Sequence, residues 1–180
     1  MPAGSRSFRS GLTLLLVVAL ALPVSGCGFR LRGSETLLAG FPQLQLNLQQ
    51  PASEMAVLLR RTLRDAGVTL IEPEPDSFDV NLPLLSIGAE QLTVRPITVT
   101  ARARAAQYDM QLLLPVSLSA GEIPLLGPEE LTVQQVYYEN TGNITGTLEE
   151  REVIQDEMRR QLINLLLRRL DGLAARQQGS

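Results

Sequence analysis

The sequence contains no histidine, lysine or tryptophan, and its single cysteine lies at position 27. Without histidine the chain lacks an imidazole base, a Ser-His-Asp triad and histidine metal ligands. A chain with one cysteine forms no internal disulfide. The sequence also has no glycine-rich phosphate loop and no recognisable pair of catalytic carboxylates. The composition therefore argues against an enzyme, and no cofactor or metal is expected.

The N-terminus has the three parts of a secretory signal. Arg6 and Arg9 supply positive charge, residues 12–22 are an almost unbroken apolar run, and Val-Ser-Gly at 24–26 leads into Cys27. The run is too short to span a bilayer, which takes about 20 residues. The residues before Cys27 resemble a bacterial lipobox, whose cysteine receives a diacylglycerol and becomes the first residue of the mature protein. An ordinary signal peptide with an unrelated cysteine is the alternative.

Cleavage before Cys27 divides the chain into a signal peptide, residues 1–26, and a mature part, residues 27–180, of ordinary length for one domain. Gly28 and Phe29 follow the cysteine, and no aspartate stands next to it. By resemblance to sorted bacterial lipoproteins, this favours the outer membrane. Two or three acyl chains hold a protein stably on a membrane. We therefore expect a lipid-anchored domain on the periplasmic side of the outer membrane.

The charge of the mature part limits its partners. Removing the signal peptide leaves fourteen arginines against nineteen acidic residues, a net charge of −5. Such a protein has no overall positive field that attracts nucleic acid or anionic lipid. No nucleic acid is expected as a partner, and any bound anion must meet a local cluster of arginines.

Alternating polar and apolar residues predict most of the strands. The predicted strands are residues 43–48, 68–71, 80–90, 101–118 and 131–138. The segment 101–118 is the longest and places Tyr108, Met110 and Leu112 on one face, and Gln107, Asp109 and Gln111 on the other. These strands supply the sheet of the predicted fold.

Two of these strands change phase in the sequence. In the predicted strand 131–138 the alternation shifts near residues 134–135. In the predicted strand 80–90 the apolar side chains that face inward begin with Val80 and change phase near residues 84–85, which predicts a β-bulge there. Pro83 cannot donate a hydrogen bond to a neighbouring strand, which indicates a sheet edge or the bulge itself. The adjacent tyrosines at 137–138 are either an interface anchor or a cross-strand packing pair.

Two helices are predicted. The first has Ser53 as N-cap and Gly67 just past its end. The second begins with a capping box at Thr147, ends near Gly172 and turns Arg159 outward. Residues 28–40 are predicted as an extended lead, and a loop is predicted around Arg95-Pro96. Turns are predicted at residues 121–129 and 139–143.

These elements predict an α+β fold. We expect a two-layer sandwich in which a mainly antiparallel four-stranded sheet carries two helices packed on one face. Helices on one side leave the other face of the sheet polar or covered by something else.

Several motifs follow one another along nearly the whole mature part. They are Cys-Gly-Phe-Arg-Leu-Arg-Gly at 27–33, Leu-Arg-Asp-Ala-Gly-Val-Thr-Leu at 63–70, Ala-Gln-Tyr-Asp-Met at 106–110, Glu-Asn at 139–140, and Glu152, Ile154, Glu157 and Met158. In this order they resemble the LptE family of lipopolysaccharide-assembly lipoproteins.

The resemblance implies a two-helix, four-stranded fold and a protein partner. That partner is LptD, a large outer-membrane β-barrel in whose lumen such a lipoprotein sits as a plug, in a one-to-one complex. Members of the family support assembly of the barrel and delivery of lipopolysaccharide to the outer leaflet. A compact domain inside a wide barrel closes an otherwise open pore. A lipoprotein that binds peptidoglycan or another barrel-assembly machine is the alternative, and a lipid-anchored enzyme is a third.

Arg102 and Arg104 are the candidate lipopolysaccharide-binding residues. Guanidinium groups suit phosphate oxygens, and lipid A carries phosphates. The resemblance also implies a basic lipopolysaccharide contact near this segment. Strict alternation would put both arginines on the face of Tyr108, so we expect either a phase break near residues 105–106 or a strand tip beyond the core. The alternative is that both are solvated, or pair with acidic groups of a barrel.

Overall fold

A computed structural model describes residues 34–72, 78–99, 105–138 and 144–178. These residues form three helices and six strands. In chain order the elements are α1 (Ser34–Gly40), β1 (Gln43–Leu48), α2 (Glu54–Asp65), β2 (Thr69–Ile71), β3 (Pro83–Ile87), β4 (Gln91–Val99), β5 (Ala105–Ala120), β6 (Ile123–Tyr138) and α3 (Ile144–Gln178).

All six strands belong to one mixed sheet, in which β5 is central. The order is β2-β1-β3-β5-β4, with β6 on the other edge of β5. β3 and β4 lie end to end along the same edge of β5 and both run antiparallel to it. β1 is parallel to both β2 and β3. The β1–α2–β2 unit explains the first parallel pair, because parallel neighbours need a crossover connection.

The long hairpin of β5 and β6 gives the sheet two distinct ends. At the tip end β4 and β6 finish and β5 begins; at the turn end Gly121 and Glu122 connect β5 to β6. Sixteen residues of β5 extend over about 50 Å at 3.3 Å per residue. The two ends of the sheet therefore lie far apart and can contact different neighbours.

One hydrophobic core joins all three helices to one face of the sheet. It contains Leu37 of α1, Leu59 and Leu63 of α2, and a longer set from the strands and α3. The strand and α3 members include Leu44, Leu46, Leu85, Met110, Leu112, Leu114, Leu118, Met158, Leu162, Leu166 and Leu170. The helices therefore cover one face, as predicted, and the opposite face is called the outer face below.

The predicted limits of α2 are confirmed. The Ser53 side chain accepts a hydrogen bond from the Ala56 backbone amide at 3.1 Å, which caps the helix. Gly67 follows the C-cap residue Ala66 with a φ of 88°, a left-handed conformation that favours glycine.

The α+β class is confirmed, but the predicted sheet was too simple. The sheet is mixed and has six strands, and the chain adds a third helix. The predicted loop around Arg95-Pro96 is strand β4, paired with β5. An edge position tolerates Pro96, which has no amide to donate. The predicted long turn at 121–129 is also wrong, because β6 already begins at Ile123 and includes both prolines of that segment.

The two predicted changes of phase are also wrong where the structure describes them. Leu84 and Leu85 keep an unbroken register with β1 and β5, and Val80 lies before the strand and outside the core. In β6 the core side continues through Gln135 to Tyr137, so no shift occurs at residues 134–135. A glutamine at a half-buried position explains the false signal.

The helix boundaries depart from prediction at three places. α1 replaces the expected extended lead within residues 34–40. α3 begins at Ile144, before the capping box predicted at Thr147, and it continues through Gly172 to Gln178. Gly172 has open space around its α-carbon, so the helix tolerates it at a cost of about 1 kcal/mol. The turn predicted at 139–143 lies outside the described residues.

Candidate binding surface

The outer face of the sheet is mostly polar across β4, β5 and β6, apart from Leu113 of β5 and Val136 and Tyr138 of β6. The register places residues of the three strands side by side in rows. These rows contain Gln91, Thr93, Arg95, Gln107, Asp109, Gln111, Thr132 and Gln134. Amides and hydroxyls both donate and accept hydrogen bonds, so this face suits a polar or wet neighbour.

The sequence-predicted residues Arg102 and Arg104 belong to residues 100–104, which connect β4 to β5 at the tip end. This segment and Cys27 lie outside the described residues. The described strands beside it do break phase: Thr98 pairs with Gln107, whereas Val99 pairs with Ala105. The shift occurs at residues 105–106, which is one of the two predicted alternatives. The Thr98 hydroxyl donates to Gln107 Oε1 at 3.0 Å beside the shift.

Further residues of the tip end were missed by the sequence analysis. Arg95 lies on β4 opposite Asp109, and no ion pair between described residues involves it. Ile97, Val136 and Tyr138 are exposed near it. The signal for β4 was the alternation of Leu92 and Val94 with polar residues, which Pro96 obscured. The tip end thus combines a guanidinium that forms no ion pair with another described residue and apolar side chains.

The tyrosine pair on β6 divides between the two faces of the sheet. Tyr137 is 4% exposed and stacks on Tyr108 of β5, with ring centroids 5.1 Å apart and planes 11° from parallel. Tyr138 is 65% exposed on the outer face. Cross-strand packing is confirmed for Tyr137, whereas Tyr138 is available for contact.

An ion-pair cluster locks α3 to the junction of β3 and β4. Arg159 was predicted to face outward, but its side chain is 12% exposed and hydrogen-bonds Glu90, itself 12% exposed, at 3.0 Å. The same guanidinium contacts Asp156 at 2.8 Å and also binds Glu54 at the start of α2. Burial works against the charged form, but the hydrogen bond and charge of Glu90, with Asp156 and Glu54, outweigh it and raise the pKa of Arg159. The cluster is structural, since Glu90 and Glu54 come from other parts of the fold and only Asp156 belongs to α3 itself.

Two carboxyl groups titrate away from their usual range. Glu72 forms a two-pronged pair with Arg60, at 2.6 and 3.0 Å, and this hydrogen bond lowers the pKa of Glu72. Burial raises the pKa of Asp171 on α3, against the opposing effect of a hydrogen bond from the Leu37 amide of α1.

Within the described ranges, no three acidic or cysteine side chains lie close enough together to hold a metal ion. None of the described helices has both the length and the apolar composition that crossing a bilayer requires.

Comparison with known proteins agrees with this architecture. The model of the LptE family, described as Lipopolysaccharide-assembly, matches residues 41–170. The LPS-assembly lipoprotein LptE of Photorhabdus laumondii is 30% identical over 159 residues, which cover 88% of this chain and 84% of that protein. Its counterpart in Pectobacterium atrosepticum is 27% identical, over 86% of this chain and 83% of that protein.

Solved structures show the same fold at lower identity. The rare lipoprotein B of Shewanella oneidensis has a TM-score of 0.64 and 18% identity, covering 76% of this chain and 97% of its own. An uncharacterized lipoprotein B of Nitrosomonas europaea has a TM-score of 0.63 and 12% identity, covering 82% and 93%. The family match spans most of the described fold, from two residues before β1 well into α3. This chain belongs to the LptE family of lipopolysaccharide-assembly lipoproteins.

Proposed function

We propose that this protein is an outer-membrane lipoprotein that plugs the LptD β-barrel. In this role it supports assembly of the barrel and assists insertion of lipopolysaccharide into the outer leaflet. It forms a one-to-one complex with the barrel, on the periplasmic side of the membrane. Its chemistry is binding and positioning, with no covalent bond made or broken.

The polar outer face carries this proposal. A barrel of the outer membrane has a polar interior, because its strands alternate apolar side chains toward lipid with polar ones toward the lumen. The polar residues of β4, β5 and β6 on the outer face, such as Gln91 and Gln134, offer amides and hydroxyls that match such an interior. A plug needs a face that hydrogen-bonds to protein and water alike.

The anchor is proposed from the N-terminal sequence. A signal peptide of residues 1–26 directs export, and the lipid on Cys27 holds the mature protein, residues 27–180, at the membrane. More than one acyl chain makes such an anchor stable. Only a short stretch separates Cys27 from α1, so the anchor keeps the domain close to its membrane.

Lipopolysaccharide is proposed to bind at the tip end, through Arg102 and Arg104. Two guanidinium groups in one short connection provide forked donors for the phosphates of lipid A. Arg95 adds a third guanidinium on the neighbouring strand, and it has no ion-pair partner among the described residues. Exposed Tyr138 and Val136 lie across the same end and offer apolar surface for acyl chains.

The barrel complex is tested by purification from the native bacterium. A tagged full-length protein is extracted with detergent from outer membranes and isolated through its tag. We expect one large β-barrel protein in equal amount, together with an acylated cysteine in mass spectra of the N-terminal peptide. Recovery with peptidoglycan, or with a different barrel machine, would support the alternative reading instead.

The lipid site is tested by charge reversal. Arg102→Glu combined with Arg104→Glu is expected to lower lipopolysaccharide binding, while the barrel still co-purifies. The matched control makes the same change of charge on α2, Arg61→Glu with Arg64→Glu, and should leave binding unchanged. If the Arg102/Arg104 variant bound lipopolysaccharide as well as the Arg61/Arg64 control does, the tip end would not be the lipid site.

A further inference from the structure

The turn end of the outer face holds a groove that the proposed function does not use. It is called the turn groove and has a volume of about 440 Å³. Its lining combines apolar side chains with two carboxylates and a few polar groups. The residues that the argument uses are Phe78, Val80, Leu84, Asp79 and Glu122.

The side of the groove that carries Phe78 and Val80 is fixed by hydrogen bonds from β1. Gln45 of β1 is 1% exposed, and its amide nitrogen donates to the backbone oxygens of Asp79 at 2.7 Å and Leu82 at 3.1 Å. Its amide oxygen accepts from the Asp79 backbone N–H at 2.8 Å. A buried glutamine with these three bonds makes the turn a defined structure rather than a loose loop.

The opposite wall closes tightly on this turn. Gly121 has a φ of 57°, and a β-carbon at its position would lie 3.3 Å from the Val80 carbonyl oxygen. Asp79 Oδ1 accepts from both nitrogens of Asn81 at 2.9 Å, which closes the turn on its other side. The groove is thus assembled before any partner arrives.

This rigid turn presents apolar side chains to solvent. Val80 is 73% exposed, and Phe78 and Ile123 are exposed beside it. Ordering a segment costs conformational entropy, and hydrophobic burial usually offsets that cost. Here the hydrogen bonds of Gln45 order the turn, while the Val80 side chain remains outside the core. An apolar surface held this way is typical of a contact site.

The charge around the turn groove selects among possible partners. Asp79 and Glu122 line it, and no ion pair between described residues involves either. These two carboxylates repel an anionic bilayer surface, which attracts basic residues. The same carboxylates attract lysine or arginine on a protein.

We infer that the turn groove docks a segment of a partner protein in which aliphatic or aromatic side chains are flanked by arginine or lysine. The apolar side chains pack on Phe78, Val80 and Leu84, and the basic ones approach Asp79 and Glu122. The groove lies at the opposite end of β5 from residues 100–104, so this contact is separate from the proposed lipid site. It does not depend on the barrel being the partner.

The test uses the full-length lipidated protein in detergent micelles and short fluorescent peptides. One peptide places leucine and phenylalanine between arginines; a second replaces the arginines with glutamates; a third keeps the arginines and replaces the apolar residues with serine. Fluorescence anisotropy measures each affinity. We expect the first peptide to bind about tenfold more tightly than either of the others, since two attractive charge pairs become repulsive in one and the apolar contact is lost in the other.

Variants assign the binding to the turn groove. Val80→Asp and Glu122→Arg should each weaken the first peptide about tenfold, and Glu122→Gln about threefold. Val153→Asp is the matched control, because Val153 of α3 is 67% exposed and lies outside the groove. Circular dichroism verifies that the variants fold. Folding is expected because Val80 and Val153 are both exposed, so an aspartate at either position stays in water.

Three results would overturn the inference. These are equal affinity for the three peptides, no measurable binding of any of them, and binding that Val80→Asp leaves unchanged. The membrane alternative has its own outcome. If Val80→Asp weakens association with phosphatidylethanolamine–phosphatidylglycerol vesicles while the peptides do not discriminate, the turn groove serves a lipid surface and the inference is wrong.

Discussion

Replacing Arg159 with methionine removes the guanidinium that joins α3 to two other elements. Methionine keeps most of the length of the side chain, so the change removes charge and hydrogen bonds more than volume. Glu90, which is 12% exposed beside Arg159, then retains among the described side chains the amide of Gln155 at 3.3 Å as its hydrogen-bond donor. A carboxylate left without its partner at such a site is costly.

The expected loss can be worked out from the exposure of each partner. Breaking a buried ion pair by removing one side costs about 3–5 kcal/mol. Glu90 keeps some contact with solvent, so the lower end, about 3 kcal/mol, applies to Arg159→Met. The pairs with Asp156 and Glu54 add little, because those side chains are 52% and 77% exposed and such pairs contribute about 0–1 kcal/mol.

The assay is urea unfolding of the purified mature protein, followed by far-ultraviolet circular dichroism. Asp156→Ala is the control and should cost at most about 1 kcal/mol. Adding Glu90→Leu to Arg159→Met should restore about 2 kcal/mol, because it removes the unpaired carboxylate. An Arg159→Met protein within about 0.5 kcal/mol of the parent would refute this reasoning.

Further predictions concern the contact of α1 with α3 and the core. Gly40→Ala should destabilise the protein by about 1–3 kcal/mol, because a β-carbon there would lie 2.3 Å from the Ala174 β-carbon. Ala174→Gly in the same chain should not recover the full loss in urea unfolding, because the Ala174 α-carbon would still lie 2.8 Å away and a glycine within α3 costs about 1 kcal/mol. Leu162→Ala should cost about 3 kcal/mol, since Leu162 is fully buried in the core. The raised pKa of Asp171 means that the folded state holds this proton more tightly than the unfolded state, so stability falls as the pH rises through the folded-state value. Asp171→Asn should therefore remove this fall of the thermal midpoint with rising pH, which sets in above the ordinary carboxyl pKa, and an unchanged slope would contradict this assignment.

Regular patterns with clear end signals were predictable. α2 combines a stripe of apolar residues with Ser53 before it and Gly67 after it, so both its face and its limits follow from local chemistry. The alternation of β5 likewise separates Met110 and Leu112 from Gln111 correctly. In both elements, burial and local backbone preference agree.

Elements whose local signal conflicts with their tertiary setting were not predictable in the same way. Pro96 indicates a loop, but the pairing of β4 with β5 leaves the proline at an edge where no donor is needed. Thr147 resembles an N-cap, yet α3 continues to Ile144 ahead of it. Long-range pairing with β5 decided the case of β4, and a short window of sequence contains no information on it.

The polar contacts were the hardest to foresee. Arg159 belongs to the outward stripe of α3 by helical spacing, and only the approach of Glu90, far away in the sequence, draws it into the structure. Gln45 alternates like its exposed neighbours in β1, but the turn at residues 79–82 covers it. Such pairings become visible only once the chain is folded. The proposed lipid site rests on sequence and resemblance, since Arg102 and Arg104 lie outside the described residues.

The proposal that the outer face meets the interior of a barrel is tested most directly by photo-crosslinking in intact outer membranes. A photoreactive amino acid replaces Gln134, which is exposed on the outer face of β6. Mass spectrometry then locates the adduct. The account predicts an adduct with a β-barrel protein, at strand residues whose side chains point into its lumen. Illumination that yields only peptidoglycan or lipid adducts, or none with a barrel, would contradict it.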